Sequence, residues 1–191
     1  MDKLLKCAIA FSNLLDIKYH FKIGRKGKLK GFTLHFNPYH FHHLIGLQKL
    51  SDIQKLKGNR ERIFKEILSG NITHEMIEKS NDYHSMGSRL SSFHKIEDFL
   101  DSNSLIFNYS RAFNLASRIE AIYLLQNGID DKINYLFLDK ESNSDYFYGK
   151  SFFPKENMDY SKSQPLWKLL YKKKIFGSGK DEIQFDKLTT L

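Results

Sequence analysis

The sequence predicts an α+β domain in which an N-terminal β-hairpin precedes central helices and a C-terminal antiparallel sheet. Three observations carry that expectation. Two alternating apolar and polar stretches flank a glycine-bearing turn between residues 17 and 36. Helix caps and helical spacing follow from residue 37 to residue 100, and strand periodicity returns beyond Asp101-Ser102-Asn103.

Leu4, Leu5, Ile9, Phe11, Leu14 and Leu15 stand at helical spacings and predict a first helix within residues 2–15. Ile17-Lys18-Tyr19-His20-Phe21-Lys22-Ile23 then alternates like a half-buried strand, and Gly24-Arg25-Lys26-Gly27-Lys28 is a basic turn. The second arm, Leu29 to Phe36, places Phe32, Leu34 and Phe36 on one face and Thr33 and His35 on the other. Asn37-Pro38 opens a helix, an Asn cap with proline at the first helical position. Further helices are expected from Asn59 to Leu68, from Thr73 to Lys79 and from Ser85 to Leu100. Residues 105–109, 118–125, 133–138 and 146–153 read as strands, although Ile119-Glu120-Ala121-Ile122 fits a helix equally well. A last short helix is expected from Gln164 to Tyr171.

With 16 Phe and 10 Tyr the chain has the apolar area that ordering it requires, which argues against disorder over most of its length. Its single cysteine, Cys7, excludes an intramolecular disulfide and a cysteine-based zinc site. Lys6 interrupts the apolar N-terminal run and no small-residue cleavage site follows, so a cytoplasmic protein without a leader is expected. No stretch of apolar residues is long enough to span a membrane.

The net charge is +8, unevenly placed: residues 1–60 carry 12 Lys/Arg against 3 acids, whereas residues 61–150 carry 10 against 14. Basic ends of this kind suit a polyphosphate partner, since each neutralised phosphate releases counterions; solubility alone is the blander account.

The chemistry concentrates in His35-Phe36-Asn37-Pro38-Tyr39-His40-Phe41-His42-His43, four histidines in nine residues. Histidine titrates near neutrality, which suits proton transfer, phosphate contact or metal ligation. Helical spacing puts His40 and His43 on one side and sends His42 elsewhere. Zinc held by His40 and His43 with His35 or His42 is a weak reading, because there is no His-Glu-x-x-His and no acid between residues 17 and 51. Nor is Gly24-Arg25-Lys26-Gly27-Lys28 a P-loop, as it lacks the Gly-Lys-Ser/Thr ending. No metal and no cofactor are expected.

Phe41-His42-His43-Leu44-Ile45-Gly46-Leu47-Gln48-Lys49-Leu50-Ser51-Asp52-Ile53 resembles the Phe-x-His-Leu-Thr-Gly-Leu-x-Lys-Leu-x-Asp-Ile signature of a family of phage and mobile-element proteins, departing at Ile45. These are the barnase-EndoU-colicin-RelE-like nucleases of the fourth phage-associated branch. Further matches follow in order: Arg89-Leu90, Leu100-Asp101-Ser102-Asn103, Ile106-Phe107-Asn108-Tyr109, Ser117-Arg118-Ile119-Glu120-Ala121, Tyr135-Leu136-Phe137-Leu138, Ser151-Phe152-Phe153-Pro154 and Asp159-Tyr160-Ser161. They cover about residues 17–175.

Length and composition predict a single α+β domain over residues 1–176 with 177–191 a loose tail, and the resemblance makes that domain nuclease-like. It also implies a metal-independent endoribonuclease, a toxin or phage effector that acts on RNA and is met by an antitoxin, immunity or host protein. The alternative is a non-catalytic phage or mobile-element protein that binds nucleic acid or a host protein, for instance to inhibit a defence system.

Cleaving RNA without a metal requires a base, an acid and cations around the phosphorane. His43, the motif histidine, is the first candidate for base or acid and His40 the weaker partner. Arg118, Lys150 and Ser151 are candidates for stabilising the transition state. Arg25, Lys26, Lys28, Arg89 and Tyr160 are candidates for contacting nucleic acid. Each has a structural alternative: for His43 a bond to a backbone carbonyl, for Arg118 and Lys150 a surface ion pair, for Ser151 and Tyr160 a hydroxyl that caps a turn.

Overall fold

The structure, a computed structural model, describes residues 1–142 and 144–189. Helix α1 (Lys3–Ser12) is capped by Asp2, whose carboxylate accepts the Leu5 N–H at 2.8 Å. Strands β1 (Ile17–Arg25) and β2 (Lys28–Leu34) form the expected hairpin, with Lys26 and Gly27 both at positive φ in its turn. A 3-10 turn over Pro38–His40 leads into the single helical turn α2 (Phe41–Leu44). Helix α3 (Arg60–Leu68) is capped by Asn59 and α4 (His74–Glu78) by Thr73, as the sequence signals. The helix expected over Ser85–Leu100 is instead two pieces, α5 (Arg89–Phe93) and α6 (Ile96–Asp101), because Lys95 leaves helical backbone.

The remaining strands are β3 (Leu105–Asn108), β4 (Tyr123–Ile129), β5 (Lys132–Lys140), β6 (Tyr146–Pro154), β7 (Leu166–Phe176) and β8 (Asp181–Asp186). They overturn the expected layout of hairpin, central helices and separate C-terminal antiparallel sheet. Both free edges of the N-terminal hairpin are taken by C-terminal strands: β1 pairs antiparallel with β7, and β2 pairs parallel with β6 through Thr33 with Tyr146 and Leu34 with Phe147. The order β1-β2-β6-β5-β4-β3-β7 therefore closes on itself as a mixed seven-stranded barrel, to which β8 adds on the edge of β7. Closure removes the hairpin's exposed edges, which an open layout would leave unpaired.

Residues 164–171, expected as a helix, contribute most of the first half of β7. Residues 118–122 lie outside the strands, and β4 begins at Tyr123. The stretch past Gly177 contains β8, so it pairs with the barrel over Asp181–Asp186.

Tyr19, Phe21 and Ile23 of β1, Phe32 and Leu34 of β2, and Leu136 and Leu138 of β5 share one contiguous apolar core with the helices. Within it Phe11 touches the rings of Phe36, Phe41, Phe64 and Phe93. Helices α2 and α5 pack on β6 and α6 on β4. The opposite face of β3 to β6 buries a second cluster, Phe107, Tyr109, Leu124, Tyr135 and Phe137, with Phe153 and Tyr160 packed against it.

Candidate active site

The chain turns from β2 into α2 through Asn37, and there the histidine run acquires its geometry. The Asn37 backbone N–H donates to His40 Nδ1 at 3.0 Å, so the ring proton of neutral His40 sits on Nε2. Nε2 lies 3.2 Å from Glu141 Oε1, and His35 Nε2 lies 3.2 Å from Glu141 Oε2. The Tyr39 hydroxyl also donates to Glu141, at 3.1 Å. Burial alone would raise the Glu141 carboxyl, but Tyr39 and the two histidines outweigh it and hold it below the usual carboxylate range. With these donors on it, Glu141 orients rings and is poorly placed to take a further proton. His40 is 5% exposed and stacked on Tyr148, with ring centroids 4.8 Å apart. Burial pushes its pKa down to about 4 despite the Glu141 carboxylate beside it.

His42 points elsewhere, as expected: its Nε2 contacts the Leu56 carbonyl at 3.1 Å. The backbone-tying role weighed for His43 thus falls to its neighbour. The His43 ring forms no hydrogen bond to another described residue, and it lines an open cleft of about 430 Å³. Burial pushes His43 down to about 4, and the charges of Arg60, His42 and Lys150 add to that. At neutral pH it is an uncharged imidazole beside two cations.

Lys150 reaches the cleft through a β-bulge. Phe137 pairs with Ser151 and Leu138 with Gly149, so Lys150 is the extra residue of β6 and its side chain joins Tyr148 in the cleft lining. Its ammonium contacts Asp139 Oδ2 at 2.7 Å. Gly149 lets α2 approach: a Cβ there would stand 2.8 Å from Leu44 Cδ2 and 3.1 Å from Phe36 Cε1. Arg60, the first residue of α3, completes the cationic rim.

His40, His43 and Lys150 therefore converge, and Arg118 and Ser151 are not in the cleft lining. Arg118 is exposed, in the loop before β4. Ser151 is buried and accepts from Arg89 Nη1 at 2.8 Å, while the same nitrogen reaches the Leu44 carbonyl at 3.3 Å. Arg89, 7% exposed with its guanidinium over the Phe153 ring, thus ties the residue after His43 to the residue after Lys150 from behind the cleft. Tyr160 packs edge-on against Phe137 and Phe153. Arg25, Lys26 and Lys28 line a second, open groove at the hairpin turn together with Lys168.

Sequence reasoning missed Arg60, Glu141, Tyr39 and Tyr148. Only Arg60 carried a local signal, its place just after the Asn59 cap. Among the described residues no group of three or more His, Cys, Asp or Glu is placed to hold a metal ion. Cys7 is buried with its thiol at the Leu90 carbonyl, and burial pushes it up to about 12.

The cleft thus sets a neutral histidine beside an arginine and a lysine on the barrel wall, an arrangement with the groups that acid–base chemistry on an anion uses. The chain belongs to the family described as phage-Barnase-EndoU-ColicinE5/D-RelE like nuclease4, which matches residues 3–186. No curated protein and no solved structure matches it. Membership in a nuclease-like family implies contact with nucleic acid. No helix among the described residues is long and apolar enough to cross a membrane.

Proposed function

We propose that the cleft cleaves RNA by metal-independent acid–base catalysis. The observation that carries this reading is His43, uncharged at neutral pH and unbonded to any other described residue, lining one cleft with Arg60 and Lys150. In this mechanism His43 takes the proton of a 2′-hydroxyl, and the 2′ oxygen forms a bond to phosphorus. The negative charge that develops on the phosphorane is balanced by the guanidinium of Arg60 and the ammonium of Lys150. The bond from phosphorus to the 5′ oxygen breaks, and that oxygen takes a proton from Lys150. The products are a 2′,3′-cyclic phosphate and a free 5′-hydroxyl. His40, buried and engaged at both nitrogens, holds the wall against which His43 works. The phage-associated family description supports a role as toxin or phage effector, with an antitoxin, immunity or host protein as its partner.

The test is incubation of the purified protein with RNA in EDTA beside His43→Ala and Arg60→Ala variants. Cyclic-phosphate ends are expected from the wild type. The rate should fall by about 10² to 10⁴ in His43→Ala, the usual worth of a positioned base. Intact RNA with the wild-type protein would overturn the reading and leave a non-catalytic binder.

A further inference from the structure

The cleft opens onto the outer face of the barrel, and a band of rings and cations continues from it across β6, β1 and β7. Tyr148 and Tyr146 are alternate residues on the same side of β6. Tyr148 stacks on His40, and His35 stands 4.8 Å, centroid to centroid, from Tyr146. Lys18 Nζ lies 4.8 Å over the Tyr146 ring and 3.3 Å from its hydroxyl. Along β1 the outward residues are Lys18, His20 and Lys22, since Tyr19, Phe21 and Ile23 are buried. His20 meets Tyr171 of β7 edge-on at 6.5 Å, and Lys22 Nζ lies 5.4 Å over the same ring. Beyond Lys22 the band runs into the hairpin-turn groove of Arg25, Lys26, Lys28 and Lys168.

Of the neighbouring acids, Glu141 faces His35 and His40 and Asp181 binds Lys173 at 2.7 Å, while Asp186, opposite Tyr171 on β8, accepts the Leu188 N–H at 2.7 Å and is the acid whose charge Lys22 also feels. None of the ion pairs formed among the described residues includes Lys18, Lys22, Arg25, Lys26, Lys28 or Lys168. A strip with this surplus of positive charge and with Tyr faces between the cations complements a chain that alternates phosphates with bases. From the Leu34 end of β2 to its Lys28 end the distance is about 20 Å at the usual rise per residue. That exceeds what the reacting dinucleotide needs.

Resting on the reading of the cleft as an RNA-cleaving site, we infer that the outer face of β6, β1 and β7, as far as the turn between β1 and β2, is the track for single-stranded RNA leading away from that site. Tyr146 and Tyr171 stack against unpaired bases, and Lys18, Lys22 and the hairpin-turn cations follow the backbone. Duplex RNA offers its rings no free base face. The substrate class is therefore unpaired RNA long enough to reach the hairpin turn, and the cut falls near one end of the bound stretch.

Binding by His43→Ala protein tests this independently of whether the wild type cleaves. Fluorescein-labelled oligouridylates of about 4, 8 and 12 nucleotides are titrated by anisotropy, with a duplex of about 12 base pairs alongside; these lengths fall within the range of known single-strand sites. Affinity should rise at least tenfold from the shortest to the longest strand and exceed that for the duplex. Adding Lys22→Ala and Lys18→Ala should lower the slope of log affinity against log salt by about 1.4, at roughly 0.7 per phosphate contact on a single strand. Tyr171→Phe should bind as the parent does and Tyr171→Ala about tenfold more weakly, since stacking needs the ring and not the hydroxyl. Equal affinity for all three lengths, or tighter binding of the duplex, would overturn the track and leave the cleavage proposal standing. Length-dependent binding beside an inert wild type would do the reverse.

Discussion

Replacing Gly149 with alanine probes how the cleft is held together. The new methyl carbon would lie 2.8 Å from Leu44 Cδ2, 3.1 Å from Phe36 Cε1 and 3.2 Å from Leu136 Cδ1. Ordinary contact begins at 3.4 Å, so Leu44 must retreat by about 0.6 Å or more. Leu44 and Leu136 are 0% exposed and Phe36 is 2% exposed, so none has open space to move into. Overpacking of this kind costs about 1–3 kcal/mol. At about 2–4 °C per kcal/mol for a chain of this size, Tm should fall by about 2–12 °C.

The displacement also reaches the chemistry. Leu44 follows His43 on α2, and Gly149 precedes Lys150 on β6, so pushing these elements apart separates the proposed base from a proposed cation. A misplacement near 1 Å can cost about 10²-fold in rate, so a fall in kcat of tenfold or more is expected. Thermal unfolding by circular dichroism and steady-state cleavage of a fluorogenic oligoribonucleotide read the two effects. A Gly149→Ala protein with Tm within about 1 °C of wild type and an unchanged kcat would refute the close-approach reasoning.

Arg89→Met removes the guanidinium that joins Ser151 to Leu44 while keeping a side chain of similar length. It should lower kcat with little change in KM, because Arg89 does not line the cleft; a raised KM at constant kcat would instead mean that it touches RNA. The pH dependence follows from His40 and His43, both pushed from 6.5 to about 4 in the folded chain. The unfolded chain takes up these protons first as the pH falls, so stability is lost between about pH 6.5 and 4 and is full above that window. The urea midpoint should drop across it, and by less in a His43→Asn variant; equal drops would remove His43 from the account. The acid limb of kcat/KM should likewise inflect near pH 4, and an inflection near 6.5 would show that an unperturbed histidine is the base.

Elements specified by neighbours in the chain were legible in the sequence. The hairpin, the caps at Asn59 and Thr73, the Asn37-Pro38 helix opening and the strands at β3, β5 and β6 all rest on local spacing. Barrel closure was not legible, because it depends on β1 meeting β7 and β2 meeting β6 across most of the chain. β7 was masked further by two lysines turned inward. Lys172, 1% exposed, donates to the carbonyls of Leu100, Asp101 and Ser102, and Lys174, 5% exposed, contacts Glu97 and Asp101. Their buried stems break the alternation by which a strand is recognised. In the cleft, His43 and Lys150 could be named from the sequence. Arg60, Glu141 and Tyr148 could not, since only the fold brings them there.

The seam between β2 and β6 is two residue pairs long, the shortest join in the barrel beside that of β3 with β7, and the cleft begins just past it, where the chain leaves β2 for α2 and β6 runs on through Tyr148 to Lys150. Its two sides come from distant parts of the chain: His43 is translated early, and Lys150 follows only after most of the sequence. Closing so long a loop for so few hydrogen bonds is entropically unrewarding until the other strands are in place. The barrel wall is therefore completed here late in folding. A partly made or partly folded chain holds the imidazole of His43 and the ammonium of Lys150 apart, so the cleft comes into being only with the closed barrel.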